Sequence, residues 1–480
     1  MIHSKAIINV LSALLIFLAI SLLLPAAVAY FYGGPDFSAF IITVVLTLAI
    51  GFAGYLPTRV QVELRAKDGF VIVTGGWLLF ALLGALPFYF SGFIPSYTDA
   101  FFETMSGFTT TGASILTDIE ALPHGLLFWR SFTHWLGGMG IILLSLAILP
   151  LLGVGGMQLF KAEVPGPTPD KLSPRIRETA KLLWGVYLLL TVVETALLML
   201  AGMSLFDALC HTFGTVATGG FSTKNTSVGY YDSAAIDYII TIFMLIAGGN
   251  FALHYRALRG KFLYWKDTEF KFYLSVIVFA IAIISIDVWH RLDRDFASTL
   301  QYTSFQVVSI ITTTGYGTAD YEQWGGLSQI VLFLLMFFGG CAGSTGGGMK
   351  IIRIVVLVTF CRIELRRLIH PQAVLPIRIG DQVISREITG TITGFFLIYM
   401  MLFIVGIISM SAMGLDFSTS LGSVVATMSN IGPGLGDVGP TDNYAAIPFL
   451  GKWLLSFLML AGRLEIFTVI ILFSRTFWRK

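Results

Sequence analysis

The chain has 480 residues, of which 56% are hydrophobic and only 12% charged, with a mean hydropathy of +0.82 and a net charge of +2. So little polar surface excludes a water-soluble globule of any domain number, and the near-neutral charge decides nothing about partners, among which nucleic acid is not expected. Apolar runs of spanning length recur from end to end without the alternation of a membrane β-barrel, so the expected class is an all-α integral membrane protein.

In chain order the pattern predicts helices near 7–32, 38–58, 70–92, 126–152, 182–203, 235–258, 271–290, 327–358, 386–413 and 446–474. The first follows Lys5 and ends near Ala27-Val28-Ala29, which resembles a signal peptide. Its apolar run is too long for one and suits a retained helix. Connections rich in Lys and Arg (Arg59 to Lys67, Lys161 to Lys181, Arg256 to Lys266, Arg362 to Arg378, and the tail Arg475 to Lys480) alternate with connections that are poor in both. The positive-inside rule puts the basic set, with both termini, in the cytoplasm.

Four of the outward connections, 93–125, 204–234, 291–326 and 414–445, each hold an apolar stretch too short to span, followed by a glycine-centred turn. They are copies of one another. Asp99 to Ser114 (DAFFETMSGFTTTGAS) matches Asp207 to Ser222 (DALCHTFGTVATGGFS) without a gap, and VVSIITTTGYG and VVATMSNIGPG repeat the theme more loosely. Each unit is a span out, a half-crossing back and a span in, so all four share one orientation and suggest a ring about an axis along the membrane normal. The expected organisation is two extra helices (1–68) and four pore repeats (69–160, 161–262, 263–365, 366–480).

Irregular backbone at membrane depth survives only when buried in protein or lining water. Glycine turns can aim carbonyls inward, threonines add hydroxyls, and the negative C-terminal end of each short helix favours a cation. A selectivity filter for a dehydrated monovalent cation follows, built on Thr110, Thr111 and Gly112; Thr218, Gly219 and Gly220; Thr313, Thr314 and Gly315; and Asn430, Ile431 and Gly432. A second feature is FFGGCAGSTGGGMKI (Phe337 to Ile351), whose glycines, among them Gly339, Gly340, Gly343, Gly346, Gly347 and Gly348, are too dense for a stable helix. The helix is expected to break there; close helix packing through small residues is the alternative. The third is Arg463, in the last span, where a charge must face the bundle or a cavity. Glu465 or the mid-span Glu194 could pair with it.

These residues resemble a known family. TTTGYG (Thr312 to Gly317) is similar to the filter of potassium channels, and TTTGAS, ATGGFS, TTTGYG and SNIGPG together with AGRLEIFT (Ala461 to Thr468) resemble the TrkH/TrkG branch of the bacterial Trk/Ktr potassium-transporter superfamily over essentially the whole chain. The resemblance implies potassium uptake across the inner membrane, with the four filter glycines at 112, 220, 315 and 432. It also implies a gate beneath them formed by the glycine-rich loop, Lys350 and Arg463. A serine at the first glycine accompanies sodium passage in some plant relatives; here it is Gly112. Three of the four copies lack the GYG signature, which implies a shorter filter than a channel's. A homodimer and a ring of cytosolic TrkA subunits that bind nucleotide are implied as partners; the basic loops 161–181, 256–271 and 362–386 are candidates for the docking surface, ordinary positive-inside loops being the alternative, and no cofactor is expected in the chain itself.

Other signals carry less. Gly434, Gly436 and Gly439 fit a dinucleotide pattern but lie in an outward loop without a strand, and Gly343 to Gly348 is a near phosphate loop with Met349 where lysine is needed. The histidines and the three cysteines have no metal-ligand spacing. Asp99, Glu103, Asp207, Asp320, Glu322, Asp416 and Asp437 are expected to make the outer mouth acidic. No nucleophile and base stand at motif spacing, so an enzyme is not expected. A secondary transporter coupling cations to protons through Glu194 or a histidine is the rival reading.

Overall fold

The computed structural model describes residues 3–59, 64–147, 172–292, 295–373, 375–380 and 382–479. Helices α1 (Ser4–Ser21) and α2 (Leu23–Phe31) form one apolar span, interrupted at Leu22 because Pro25 lacks the amide that would bond back to Ser21. Helix α3 (Phe37–Tyr55) returns against α1.

The remaining helices fall into four groups, taken as units in chain order. The first contains α4 (Ala66–Gly84), α5 (Leu86–Phe90), the short α6 (Tyr97–Phe108) and α7 (His124–Ala147). The second contains α8 (Leu172–Leu200), the short α9 (Leu205–Val216), α10 (Ala234–Ala247) and α11 (Phe251–Leu258). The third is α12 (Thr268–Leu292), α13 (Phe296–Ile311), α14 (Gly326–Leu335) and α15 (Ile351–Ile369). The fourth is α16 (Arg386–Ala412), α17 (Phe417–Met428), α18 (Phe449–Arg463) and α19 (Phe467–Ile470). The chain is a multi-pass membrane protein: six spans and two sharply bent helix pairs pass for membrane crossings by length and composition among the described residues. Aliphatic side chains such as Val45, Val192, Val278 and Leu397 are exposed on the spans, as lipid contact demands, while threonines and serines crowd the interior.

The four short helices start alike. Ser96, Ser204, Asp295 and Asp416 cap them by accepting the amides of Asp99, Asp207, Ser298 and Ser418, at 3.4, 3.1, 3.3 and 2.9 Å. Each short helix packs inside its own unit, and α6, α9 and α13 also touch the returning helix of the preceding unit, α18, α7 and α10 respectively.

Two predicted continuous spans are bent instead. The span expected at 235–258 turns by 103° between α10 and α11, because Gly248 packs under the third unit: a Cβ there would lie 2.7 Å from the Tyr273 hydroxyl and 2.8 Å from Thr312. Asn250 then caps α11. The span expected at 446–474 turns by 114° after Arg463, where Glu465 and Ile466 take left-handed backbone angles, φ 64° and 45°. Arg463 therefore ends a helix rather than sitting mid-span. The break expected near 337–351 is present between α14 and α15. A hairpin, β1 (Ile377–Ile379) and β2 (Gln382–Ile384), turns at Gly380 and rests on Ile363 near the end of α15; the basic composition of its segment concealed it. The predicted span 126–152 is described only to Ala147, and of the predicted basic loop 161–181 residues 161–171 lie outside the described residues.

Candidate functional site: four glycine turns over a buried loop

Each short helix runs directly into a turn of one conformation. Its end is closed by an amide that reaches five residues back: Thr111 to Ser106 at 2.8 Å, Gly219 to Gly214 at 2.7 Å, Thr314 to Ser309 at 2.9 Å and Ile431 to Ala426 at 2.8 Å. The residue before each of these is left-handed, namely Thr110, Thr218, Thr313 and Asn430 with φ between 50° and 60°, and the glycine after it is left-handed again, φ 82°, 79°, 82° and 97° at Gly112, Gly220, Gly315 and Gly432. Alternation of hand along a strand turns successive peptide planes so that their carbonyls share one side. The four predicted glycine triplets therefore have the same backbone despite their different side chains.

They also touch in a closed cycle. A Cβ on Gly112 would strike the Gly219 carbonyl oxygen, one on Gly220 the Thr314 oxygen, one on Gly315 the Ile431 oxygen, and one on Gly432 the Thr111 oxygen at 2.7 Å. Every turn thus meets the next, and the fourth meets the first. All four glycines line a pocket that opens outward, with Ser114, Ser222, Lys224, Gly317 and Asp442 around it.

Under the turns lies the segment between α14 and α15. Its two limbs pair as Gly339 amide to Met349 carbonyl, 2.8 Å, and Ile351 amide to Gly340 carbonyl, 3.2 Å. The Glu269 carboxylate at the start of α12 accepts from Ala342 N (2.7 Å) and Ile352 N (3.0 Å), fastening both limbs. The tip reaches upward. Gly347 N donates to Thr313 Oγ1 at 2.7 Å, and the Thr345 hydroxyl donates to the carbonyls of Val216 and Ala247 at 3.0 and 3.2 Å. A Cβ on Gly346 would sit 3.1 Å from the Thr312 oxygen, and one on Gly347 2.5 Å from the Ser429 oxygen. Gly343 accepts from Phe251 N at 3.1 Å, and Gly348 adopts φ 59° at the turn back.

Two cations complete this layer. Lys350 Nζ donates to the Gly346 carbonyl and to Ser344 Oγ, so the loop closes on its own cation. Arg463 donates from Nη1 to the Thr345 carbonyl (2.6 Å) and from Nη2 to the Gly137 carbonyl of α7 (3.3 Å). The suggested partners Glu465 and Glu194 do not take it: Glu465 pairs with Arg353, and neither oxygen of the buried Glu194 carboxyl has a hydrogen-bond partner among the described residues. The predicted site residues thus come together in two stacked layers, the triplets above and the loop with Lys350 and Arg463 below.

The acidic mouth is narrower than predicted. Asp99 pairs with Lys452 (2.6 Å), Glu103 is buried against Arg130 (2.6 Å), Asp207 binds Ser204 and Thr223, and Asp416 is a helix cap. Asp320, Glu322 and Asp437 remain, joined by Asp442, which was not predicted, and burial and the neighbouring carboxylates hold the Glu322 and Asp442 carboxyls above the usual range. Three histidines are hydrogen-bonded, His134 to Gly107 and Phe221, His211 to Asp207 and Ser222, and His254 to Ile246 and Tyr264, while His124 stacks on the Tyr32 ring. Missed by sequence reading were Arg130, Glu269 and Arg353. The signal for Arg130 was available, since it too is a charge within an apolar run.

Comparisons with known proteins agree on one family. The family model for TrkH, cation transport protein, matches residues 37–480. The Trk system potassium uptake protein TrkH of Salmonella typhimurium is 46% identical, covering 100% of both chains, and the TrkG protein of Escherichia coli K12 is 36% identical over 100% of this chain and 99% of its own. The crystal structure of the potassium transporter TrkH from Vibrio parahaemolyticus superposes with a TM-score of 0.92 at 40% identity, covering 100% of both chains.

Proposed function

Because the chain belongs to the TrkH family of cation transport proteins, a family of transporters and not of enzymes, we propose that it takes up potassium across the bacterial inner membrane, both termini in the cytoplasm. The ion passes through a pseudo-fourfold filter that one chain completes, each wall supplied by one of the repeats 69–160, 161–262, 263–365 and 366–480. Residues 1–68 stand outside the ring. The observation that carries this reading is the closed cycle of glycine-to-carbonyl contacts, with the same alternating backbone in all four turns. Carbonyls on one side of such a ring can replace the hydration shell of a monovalent cation without any formal charge. The test is purified chain in proteoliposomes under opposed K⁺ and Na⁺ gradients. Selective K⁺ flux is expected, and equal flux of both ions would end the filter reading.

The glycine-rich loop, Lys350 and Arg463 form the gate. Support comes from the hydrogen bonds that tie the loop to the undersides of the second and third turns and from its close approach to the fourth, while Arg463 bridges it to α7 beneath the first. A homodimer acting with cytosolic nucleotide-binding TrkA subunits completes the system, docked on 161–181, 256–271 and 362–386.

The carboxylates at the mouth should impose a pH dependence. Glu322 and Asp442 hold their protons to higher pH than free carboxylates, so acidifying the outside removes their negative charge before it would discharge ordinary groups near pH ~4. Uptake at subsaturating K⁺ should therefore weaken as external pH falls toward that raised range, with uptake at saturating K⁺ spared. Glu322→Gln should lower uptake at neutral pH and flatten the profile; an unaltered profile would remove the mouth from the pathway.

One observation favours proton coupling as a second reading: Glu194, buried in α8 with neither carboxyl oxygen hydrogen-bonded among the described residues. Buried intramembrane carboxyls mark proton relays in pumps and transporters. If it operates here, Glu194→Gln abolishes proton movement accompanying K⁺ entry; if K⁺ flux proceeds with no proton flux in the unmodified protein, the reading fails.

A further inference from the structure

We propose that the buried Glu103–Arg130 ion pair is a positioning pair for ion discrimination, locking the outer ends of the first and second filter walls to each other. This rests on the filter reading above. Glu103 lies nine residues before Gly112, and at the same register before the other filter glycines stand His211, Gln306 and Ser423. The first three reach outward along their own walls: Glu103 accepts from Ser114 Oγ (3.0 Å) and Ile115 N (2.9 Å), His211 Nε2 meets Ser222 Oγ (2.9 Å), and Gln306 donates to the Ala319 carbonyl (3.0 Å).

Among the described residues only the first wall has a carboxylate there, and only it is joined to a cation. Arg130, projecting from α7, donates through Nε to Glu103 Oε1 at 2.6 Å and through Nη1 to the carbonyl of Ser222 at 2.8 Å, two residues beyond Gly220. Its guanidinium lies 3.6 Å from the centroid of the Phe221 ring, and Phe221 N donates to His134, whose other ring nitrogen is bonded to the Gly107 carbonyl. Both charged side chains are buried, 2% and 0% exposed. The remaining walls are held by neutral hydroxyls: Tyr444 to the Gly432 carbonyl (2.7 Å), Tyr321 to that of Gly434 (2.6 Å) and Tyr316 to that of His211 (2.8 Å).

The planar guanidinium serves two acceptors in fixed directions, which a lysine ammonium on a flexible stem cannot reproduce. In low dielectric such a pair resists separation strongly, because parting it strands a charge away from water. Walls held at fixed separation cannot close around the smaller Na⁺; walls released from Arg130 can.

The test uses the full-length protein in proteoliposomes with K⁺ and Na⁺ fluxes measured separately, for the unmodified chain, Arg130→Lys, Glu103→Gln and the neutral double variant Glu103→Gln/Arg130→Gln, with Gly112→Ser as a control on the filter. Arg130→Lys keeps the charge but not both contacts, and the K⁺ over Na⁺ ratio should fall about tenfold, the value of one charge-assisted hydrogen bond, with K⁺ flux largely kept. Equal loss of both fluxes at a constant ratio would overturn the proposal, as would failure of all three variants to fold, since either assigns the pair to stability alone. If Gly112→Ser shifts the ratio and Arg130→Lys does not, only the pair is refuted; if neither does, the filter reading itself is refuted.

Discussion

Deleting Gly346 to Gly348 should raise K⁺ flux in proteoliposomes at least about tenfold in the absence of any cytosolic partner, since an energy barrier lowered by about 1.4 kcal/mol already has that effect. These three glycines form the part of the loop nearest the filter, where Gly347 N binds Thr313 Oγ1 and Gly346 accepts from Lys350. Their loss removes the obstruction and the seat of Lys350 together. The limbs should survive, because Glu269 holds Ala342 and Ile352, both outside the deletion. Arg463→Gln should act in the same direction. A guanidinium about 5 Å from a passing cation opposes it by roughly 3 kcal/mol at an effective dielectric of 20. Its hydrogen-bond partners among the described residues are the neutral carbonyls of Thr345 and Gly137, which leave that charge uncancelled. Flux that stays level or drops in both variants would show that the barrier lies elsewhere.

Serine at Gly112, Gly220 or Gly315 should cost most of the K⁺ preference, and Gly432→Ser should cost least. All four positions are left-handed, where a side chain adds roughly 1–2 kcal/mol of backbone strain. The first three would also drive a Cβ into the carbonyl oxygen of the neighbouring wall, whereas at Gly432 the nearest oxygen, that of Thr111, is 2.7 Å away, so the backbone must still shift but by the least of the four. Gly112→Ser should admit Na⁺ more readily, and selectivity should rank Gly432→Ser above the rest by about tenfold. Unchanged K⁺ and Na⁺ permeabilities in Gly112→Ser would remove that glycine from the ion path; a Gly432→Ser protein less selective than the others would contradict the geometry.

How far the sequence could be read depended on whether a feature is local. The four turns were legible because each follows a capped apolar stretch at a fixed register and needs glycine where the backbone turns left-handed. The break between α14 and α15 was legible from its glycines alone. The bend after Arg463 was not: Gly462 precedes it, but Leu464, Glu465 and Ile466 hold neither glycine nor proline, and they leave the helix under tertiary constraint, with Arg463 held by Thr345 and Glu465 by Arg353. The bend at Gly248 likewise owes its place to Tyr273 and Thr312 of another unit. Carboxylates such as Glu103 and Asp99 were visible as charges, but their partners Arg130 and Lys452 lie 27 and 353 residues further along the chain, beyond any local pattern.

On the proposed filter reading, the cycle in which each glycine abuts the carbonyl of the next turn bears on how the pore can change over generations. In a channel assembled from four identical subunits, one altered codon alters every wall at once. Here the same event touches one wall directly and one neighbour by contact, always in the same rotational sense, from first to second to third to fourth and back. Preference among ions can then be adjusted in small, directional steps, each buffered by two walls that are left as they were.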